Sequence, residues 1–190
     1  LKPASAKDLL AASRMARRVP RSSGALLVVN DRLDIALACD GEPLLGLTRD
    51  SVHGESIWAI AGHGAFIGEA PARTSSAPDV ASSVIGVDLG YDDAQGSGQI
   101  ELMSRIFPRV QTIRILGSAA LGIAYAGCGR LDFFTHMNLA PWDIAAGIVI
   151  VREAGGVATQ RDGSPVRITS GTVAAGGPAV HADFMARYGG

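Results

Sequence analysis

A single carboxylate opens an otherwise apolar helix in the segment APWDIAAGIVIVREAGG, residues 140–156. The pattern from Trp142 to Val151 predicts a helix that is apolar on nearly every side, with Asp143 in its first turn. A carboxylate at this end of a helix is favoured by the helix dipole, so Asp143 can act as a cap. If the helix is buried in a layered core, the same charge needs a cation beside it. Capping and metal binding therefore remain two interpretations of Asp143.

Metal binding at Asp143 would require further oxygen ligands, because a hard divalent cation such as Mg²⁺ takes several of them. The candidates are Asp31 and Asp34 in VVNDRLD, residues 28–34. This i, i+3 pair lies just past a predicted strand and can face one ion. Each aspartate is also a common turn residue. The spacing gives a hypothesis of a metal site formed by Asp31, Asp34 and Asp143.

A second candidate site lies in ILGSAAL, residues 115–121, where a strand is predicted to end at Gly117 and a helix to begin at Ser118. The free backbone N–H groups at the start of a helix can hold an anion or a hydroxyl. An ordinary N-cap serine explains the same pattern, so binding and capping both remain open here.

Several other chemistries find no support in the sequence. The histidines show no close metal-ligand spacing and the two cysteines lie far apart, which argues against a zinc site. There is no G-x-S-x-G motif, the signature of a serine hydrolase elbow. The glycine-rich stretch at residues 62–68 has the wrong spacing for a phosphate loop and predicts a hairpin turn.

The elements that position these residues change character along the chain. After a predicted helix over residues 5–19, the first half suggests an antiparallel meander. It has a strand at 25–29, a hairpin around Asp40–Gly41, and a further strand with a glycine turn within 55–69. From residue 82 onward, predicted strands alternate with helices, which indicates a layered α/β arrangement. We therefore expect an α/β (α+β) fold with an N-terminal α+β subdomain of antiparallel hairpins, 1–77, and a C-terminal α/β subdomain, 78–190.

The composition limits the partners and the compartment. A net charge of −1 gives no electrostatic reason to expect nucleic acid or an anionic membrane surface as a partner. Cys39 and Cys128 are typical of a reduced chain rather than a disulfide scaffold. The longest uncharged run, residues 115–129, is too short to cross a bilayer, and the first ten residues lack the apolar core of a secretory signal. We expect a cytoplasmic protein.

Three stretches together resemble the inositol monophosphatase family. The family signature W-D-x-A-A-G-x-x-I-x-x-E-A-G-G is present almost in full from Trp142 to Gly156. GSAAL at 117–121 and GRLDFF at 129–134 are similar to the preceding family motifs. The hairpin region 36–66, with its G-x-G-A-F turn, and the tail 172–185 are also similar, so that the resemblance extends over residues 34–190.

The resemblance implies a layered α/β/α/β/α sandwich that hydrolyses phosphate monoesters of inositol or related sugars and nucleotides with Mg²⁺. It implies that Asp143 is a metal ligand and that Gly117, Ser118 and Ala119 help to hold a small phosphorylated substrate. Bound metal ions lower the pKa of water and neutralise charge on the phosphoryl oxygens. Homodimers are common in such families, so a homodimer is also expected.

The chain departs from the family pattern at its acidic loops. The family carries a Glu-Glu pair on an early loop and then D-P-[IL]-D-G-T, and neither is intact here. In one alignment Asp31 and Asp34 are the metal pair; in another Asp34 already belongs to the hairpin strand and the metal loop is absent. The family often has Glu at the position of His136, beside the substrate hydroxyls, so we name His136 as a substrate-binding candidate.

Three interpretations follow, in this order. The first is a phosphatase whose acidic loops are missing from this sequence, so that its N-terminal part is incomplete. The second is a non-catalytic relative that binds a phosphorylated ligand or a protein partner. The third is an active enzyme that uses Asp31, Asp34 and Asp143 alone.

Overall fold

A computed structural model describes residues 43–90 and 92–189 of the chain. The predicted helix over 5–19, the predicted strand at 25–29 and the predicted turn at Asp40–Gly41 lie outside these residues. Asp31, Asp34 and Cys39 also lie outside them, so their proposed roles stay predictions.

The first sheet is an antiparallel meander of four strands in chain order. Its inner face is apolar: Ile57, Ala59 and Ala65 are almost fully buried. The hairpin turn predicted in the glycine-rich stretch 62–68 is found at residues 61–63, between the second and third strands, and Gly64–Ile67 of the same stretch form the third strand. The four strands are β1 (Leu45–Asp50), β2 (Glu55–Ile60), β3 (Gly64–Ile67) and β4 (Ala70–Ala72).

The second sheet has five strands in the order β6-β5-β7-β9-β8. Its members are β5 (Val84–Val87), β6 (Thr112–Ile115), β7 (Phe133–Met137), β8 (Val157–Thr159) and β9 (Thr172–Gly176). Strand β5 is parallel to both of its neighbours, whereas β9 runs antiparallel to β7 and β8. The carboxyl ends of β5, β6 and β7 therefore meet at one edge of the sheet.

In the described part of the chain, four helices cover the sheets: α1 (Asp93–Ile106), α2 (Ala119–Gly127), α3 (Pro141–Glu153) and α4 (Pro178–Tyr188). Helices α1 and α4 share one core with the five-stranded sheet, and α2 and α3 share another on its opposite face. The same α2 and α3 also pack on the four-stranded sheet. Alternating helix and sheet layers bury an apolar stripe or face at every contact.

Helices α2 and α3 can lie this deep because glycines face their neighbours. A Cβ on Gly122 would stand 2.2 Å from the ring of Phe134, and one on Gly147 would stand 2.3 Å from Ile123. The apolar pattern of Trp142–Val151 is thus explained by burial between two sheets, although Trp142 itself is 72% exposed.

The layered α/β sandwich predicted from the sequence is confirmed, and four consecutive layers of it fall within the described residues. The boundary between residues 77 and 78 remains a prediction. None of the helices in the described part of the chain has the length and hydropathy needed to cross a bilayer.

Candidate functional site

The candidate residues collect at the edge of the five-stranded sheet where β5, β6 and β7 end. Asp88 directly follows β5, Gly117 follows β6, and His136 is the penultimate residue of β7. Open sheets with parallel strands bind their ligands outside the carboxyl ends of those strands. Gly117 and His136 were predicted from the sequence as substrate-binding candidates, but Asp88 was not. A carboxylate directly after the buried strand VIGV is a signal that could have indicated it.

Asp88 holds the turn that precedes helix α2. Its Oδ1 accepts hydrogen bonds from the backbone N–H of Leu116 at 2.9 Å and of Gly117 at 2.6 Å. Its Oδ2 is buried and has no hydrogen-bond partner among the described residues. The carboxylate is 5% exposed, so solvent cannot satisfy this oxygen freely.

His136 lies on the strand next to Asp88. Val87 pairs with Thr135 in the parallel register, so the next residues, Asp88 and His136, occupy corresponding positions. Burial lowers the pKa of His136, and the interaction of the ring with the Met137 backbone, followed by the negative charges of Asp88 and Asp143, opposes this effect. The imidazole is therefore neutral at neutral pH, and its buried Nδ1 has no partner within the described chain.

The start of α2 provides donors for an anion. Ser118 is the N-cap, and its side chain accepts a hydrogen bond from the N–H of Leu121 at 3.4 Å. The N–H groups of Ala119 and Ala120, in the first turn, have no partner inside the helix. The N–H of Gly117 donates to Asp88, and its φ of +73° shapes the turn; its role in holding a substrate stays a prediction.

Asp143 acts as a cap at the start of α3. Its Oδ2 accepts a hydrogen bond from the backbone N–H of Ala140 at 2.9 Å. Ala140 has no side-chain oxygen to return the bond, so only the carboxylate half of a capping box is formed. The capping interpretation is thus visible in the structure, and metal binding by the same half-buried carboxylate remains a proposal.

A cavity of about 450 Å³ borders the first turns of both α2 and α3. It is lined by Ser118, Ala120 and Leu121 of the first helix and by Trp142 and Ala146 of the second, together with the end of β1 and its turn, residues 47–52. Asp88, His136 and Asp143 are not part of its lining. This cavity therefore lies beside the helix ends.

The described residues do not form a complete metal site. Within residues 43–90 and 92–189, no three His, Cys, Asp or Glu side chains come together as a metal-binding group. The carboxylate of Asp143 is the kind of hard oxygen ligand that Mg²⁺ takes, but it supplies one ligand where several are needed.

A second buried carboxylate, Asp50, lies on the hairpin between β1 and β2. Unlike Asp88, it has hydrogen bonds to both of its oxygens. Asp50, 3% exposed, accepts hydrogen bonds from the N–H groups of Val52 and His53, from the His53 ring and from the Tyr125 hydroxyl. The Tyr125 hydroxyl, followed by His53, holds the pKa of Asp50 well below its usual range. These bonds tie the hairpin to α2, and no pattern in the sequence predicted them.

Glu153, at the far end of α3, is bonded in a similar way. Its two carboxylate oxygens accept from the N–H groups of Gly62 and Gly64, each at 2.9 Å. These bonds lower the pKa of Glu153. The glutamate of the signature from Trp142 to Gly156 thus fixes the β2–β3 turn and leaves no free oxygen for a ligand.

Comparisons with known proteins agree with this geometry. The sequence model of the inositol monophosphatase family matches residues 33–188. A fructose-1,6-bisphosphatase/inositol-1-monophosphatase of Thermotoga maritima is 39% identical over 134 residues, which are 70% of this chain and 50% of that protein. Inositol monophosphatase 1 of Solanum lycopersicum is 33% identical over 156 residues, 80% of this chain and 57% of that one. The chain thus spans about half the length of the curated relatives it matches.

A solved structure shows the same fold. The inositol monophosphatase from Anabaena (Nostoc) sp. PCC 7120 superposes with a TM-score of 0.72 at 30% identity, over 78% of this chain and 59% of that one. Both the sequence match and the layered architecture lead to the same conclusion: this chain belongs to the inositol monophosphatase family.

Proposed function

We propose that the full-length protein hydrolyses a phosphate monoester of inositol, or of a related sugar or nucleotide, with Mg²⁺ as cofactor. The observation that carries this proposal is the convergence of two helix N-termini, at Ser118 and Asp143, on the carboxyl ends of parallel strands. One N-terminus offers unpaired backbone donors, and the other offers a carboxylate. An anionic ester and its counter-ion need these two kinds of group.

The residues of this chain divide the work of binding. The N–H groups of Ala119 and Ala120, at the positive end of α2, can donate to a substrate oxygen. Asp88 fixes the turn at Gly117 that aims these donors. His136, neutral and buried, offers a ring nitrogen to a substrate hydroxyl. In the reaction, water supplies the new P–O bond, the ester P–O bond breaks, and the leaving oxygen gains a proton.

The cation would be held by Asp143 together with Asp31 and Asp34, which lie outside the described residues. A divalent ion bound there supplies positive charge that stabilises the phosphoryl and leaving oxygens. Because the described part of the chain contributes one of these ligands, we propose no step through the metal.

A second candidate function is a non-catalytic relative that binds a phosphorylated ligand or a protein partner. The observation that favours it is the lack of a metal-binding group among residues 43–90 and 92–189. It shares the anion site at α2 with the first proposal and differs in having no turnover. A cytoplasmic location and a homodimer also stay predictions.

The test is phosphate release by the full-length protein on a panel of inositol, sugar and nucleotide monophosphates, with Mg²⁺ and after chelation. The enzyme proposal expects turnover that Mg²⁺ restores after chelation. Asp31→Asn and Asp34→Asn should each reduce it if these residues are metal ligands. Binding of a phosphorylated ligand without any turnover would instead support the non-catalytic relative.

A further inference from the structure

Two buried polar atoms at the carboxyl edge of the sheet lack hydrogen bonds to any described residue. They are Oδ2 of Asp88 and Nδ1 of His136, whose residues are 5% and 4% exposed. Buried polar atoms are costly to leave unpaired, and nearly all of those in folded proteins have partners. Two such atoms on neighbouring strands indicate that a ligand group completes them.

Asp88 presents its unpaired oxygen in a fixed direction. Its other oxygen is held by two backbone N–H groups, of Leu116 and Gly117, so the carboxylate cannot rotate without breaking both bonds. Below it, Gln99 donates to the backbone oxygen of Asp88 at 3.4 Å and to that of Thr135 at 3.2 Å, which ties β5 to β7. Oδ2 is therefore a preorganised acceptor rather than a mobile side chain.

The third unpaired buried atom in the described residues has a different setting. It is Nε of Arg161, whose guanidinium already donates to the Gln99 side chain and to the carbonyl oxygen of Tyr188. The first two atoms carry the argument because they share the edge that holds the proposed phosphate site.

The chemistry of the two atoms selects the ligand group. A carboxylate oxygen only accepts hydrogen bonds and repels a phosphate, so the phosphoryl group must lie elsewhere, at the helix N-termini. A hydroxyl can donate to Oδ2 of Asp88, and its own oxygen can accept from Nδ1 of His136 in the tautomer that carries a proton there. A hydroxyl thus has both the donor that Oδ2 needs and the acceptor that Nδ1 needs.

We propose that Asp88 is a specificity-determining residue that accepts a hydrogen bond from a hydroxyl of a polyol phosphate, beside His136. This inference rests on the proposed function, because it assumes that the phosphoryl group of the same substrate lies at the start of α2. It adds Asp88 to the residues that would contact the organic part of that substrate.

The test compares two substrates on the full-length protein with Mg²⁺: an inositol monophosphate and p-nitrophenyl phosphate, whose organic part has no hydroxyl. In Asp88→Asn the amide oxygen can still accept from the Leu116–Gly117 turn, while an NH₂ replaces the acceptor at Oδ2. We expect the kcat/KM ratio of the first substrate to the second to fall by about 10- to 100-fold, as for a lost charge-assisted hydrogen bond. Asp132→Asn, at the opposite end of β5, should leave the ratio unchanged.

The outcomes separate the two proposals. If the wild-type protein is active and Asp88→Asn lowers both substrates equally, Asp88 only positions the turn and the inference is wrong, whereas the proposed function stands. If the wild-type protein hydrolyses neither substrate, the proposed function fails, and calorimetric binding of the inositol monophosphate decides the inference. Weaker binding by Asp88→Asn but not by Asp132→Asn supports it; no binding by the wild type, or equal binding by all three, overturns it.

A measurement on the wild-type protein covers the case in which Asp88→Asn does not fold. Inositol monophosphates in which single hydroxyls are replaced by methoxy groups keep an acceptor and lose the donor. One position should then lose about 10-fold or more in kcat/KM, or in affinity if there is no turnover, because a carboxylate has no proton to return. Equal values for all positions would overturn the inference.

Discussion

An aspartate lies beside each end of strand β5, and the two are in opposite states. Beside its start, Asp132, which directly precedes β7, accepts hydrogen bonds through both oxygens, from the Ser75 hydroxyl and from the Val84 N–H at 2.6 Å. At its end, Asp88 uses one oxygen and leaves the other buried without a described partner. The first carboxylate is completed by the protein, and the second is complete only with a ligand.

The buried histidines repeat this contrast. His181 is 7% exposed and its Nε2 lies 2.9 Å from the Thr159 hydroxyl, whereas His136 is 4% exposed and its Nδ1 has no described partner. Burial alone therefore does not distinguish structural from functional polar groups. The state of their hydrogen bonds does, because unsatisfied groups are retained where they serve a site.

The largest expected effect is on stability, and it compares glycines at the two ends of β9. Gly176, the last residue of β9, lies beside the start of β7, whereas Gly171 directly precedes β9. A Cβ on Gly176 would lie 2.4 Å from the backbone oxygen of Asp132, whereas one on Gly171 would meet nothing within 4 Å. Gly176→Ala should lower the free energy of unfolding by about 2–3 kcal/mol, because the backbone must shift. Gly171→Ala should change it by less than about 0.5 kcal/mol. Urea unfolding measures the free energy of unfolding of both variants. Equal losses would contradict the expected difference in packing.

The next effect is Asp132→Asn at the start of β5. The amide keeps one acceptor where two are used, so we expect a loss of about 1.5 kcal/mol in the free energy of unfolding. Phosphate release per folded molecule should not change, since Asp132 lies at the edge away from the site. A selective loss of activity without loss of stability would contradict the division into a structural and a functional edge.

The same substitution at the other end of β5 should behave in the opposite way. Asp88→Asn removes a buried charge whose Oδ2 is unpaired and keeps an acceptor for the Leu116–Gly117 turn. We expect the free energy of unfolding without ligand to stay the same or to rise by up to about 1 kcal/mol. A loss as large as that of Asp132→Asn would show that Oδ2 has a partner within the protein.

The smallest expected effect concerns pH. Burial lowers the pKa of His136 in the folded state below its unfolded value, so the unfolded state binds more protons between the two values. The stabilising contribution is complete above the unfolded pKa, near 6.5, and is lost as the pH falls from that value through the lower pKa of the folded state. His136→Leu should therefore reduce the pH dependence of unfolding by at most about 1.4 kcal/mol per pH unit. An unchanged slope would show that His136 is not buried as a neutral ring.

Much of the fold could be predicted because its signals are local. The spacing of apolar residues predicts the helix from Trp142 to Val151, and the capping residue Ser118 predicts a helix start after Gly117. The structure has both. The hairpin turn predicted within 62–68 is found at residues 61–63, although its anchor, Glu153, is 89 residues from Gly64. Such pairings depend on the tertiary fold, which no local pattern encodes.

The site was harder to predict for the same reason. Asp88 joins Gly117 and His136 only because β5 lies between β6 and β7, a strand order that the sequence does not state. Asp143 was found through its unusual place in an apolar helix. Its hydrogen bond from the Ala140 N–H explains why a carboxylate begins this helix, without a metal. Asp31 and Asp34 remain predicted metal ligands.

The most direct test of the central claim compares the two carboxylates of α3 in the full-length protein. Asp143→Asn should abolish Mg²⁺-stimulated phosphate release, by more than the ~10- to 100-fold typical of changes around a metal ligand, and leave the fold intact. Glu153→Gln, whose oxygens both bind the β2–β3 turn, should keep its activity per folded molecule. If Asp143→Asn retains Mg²⁺-dependent turnover, Asp143 is only a helix cap and the proposed metal role is wrong.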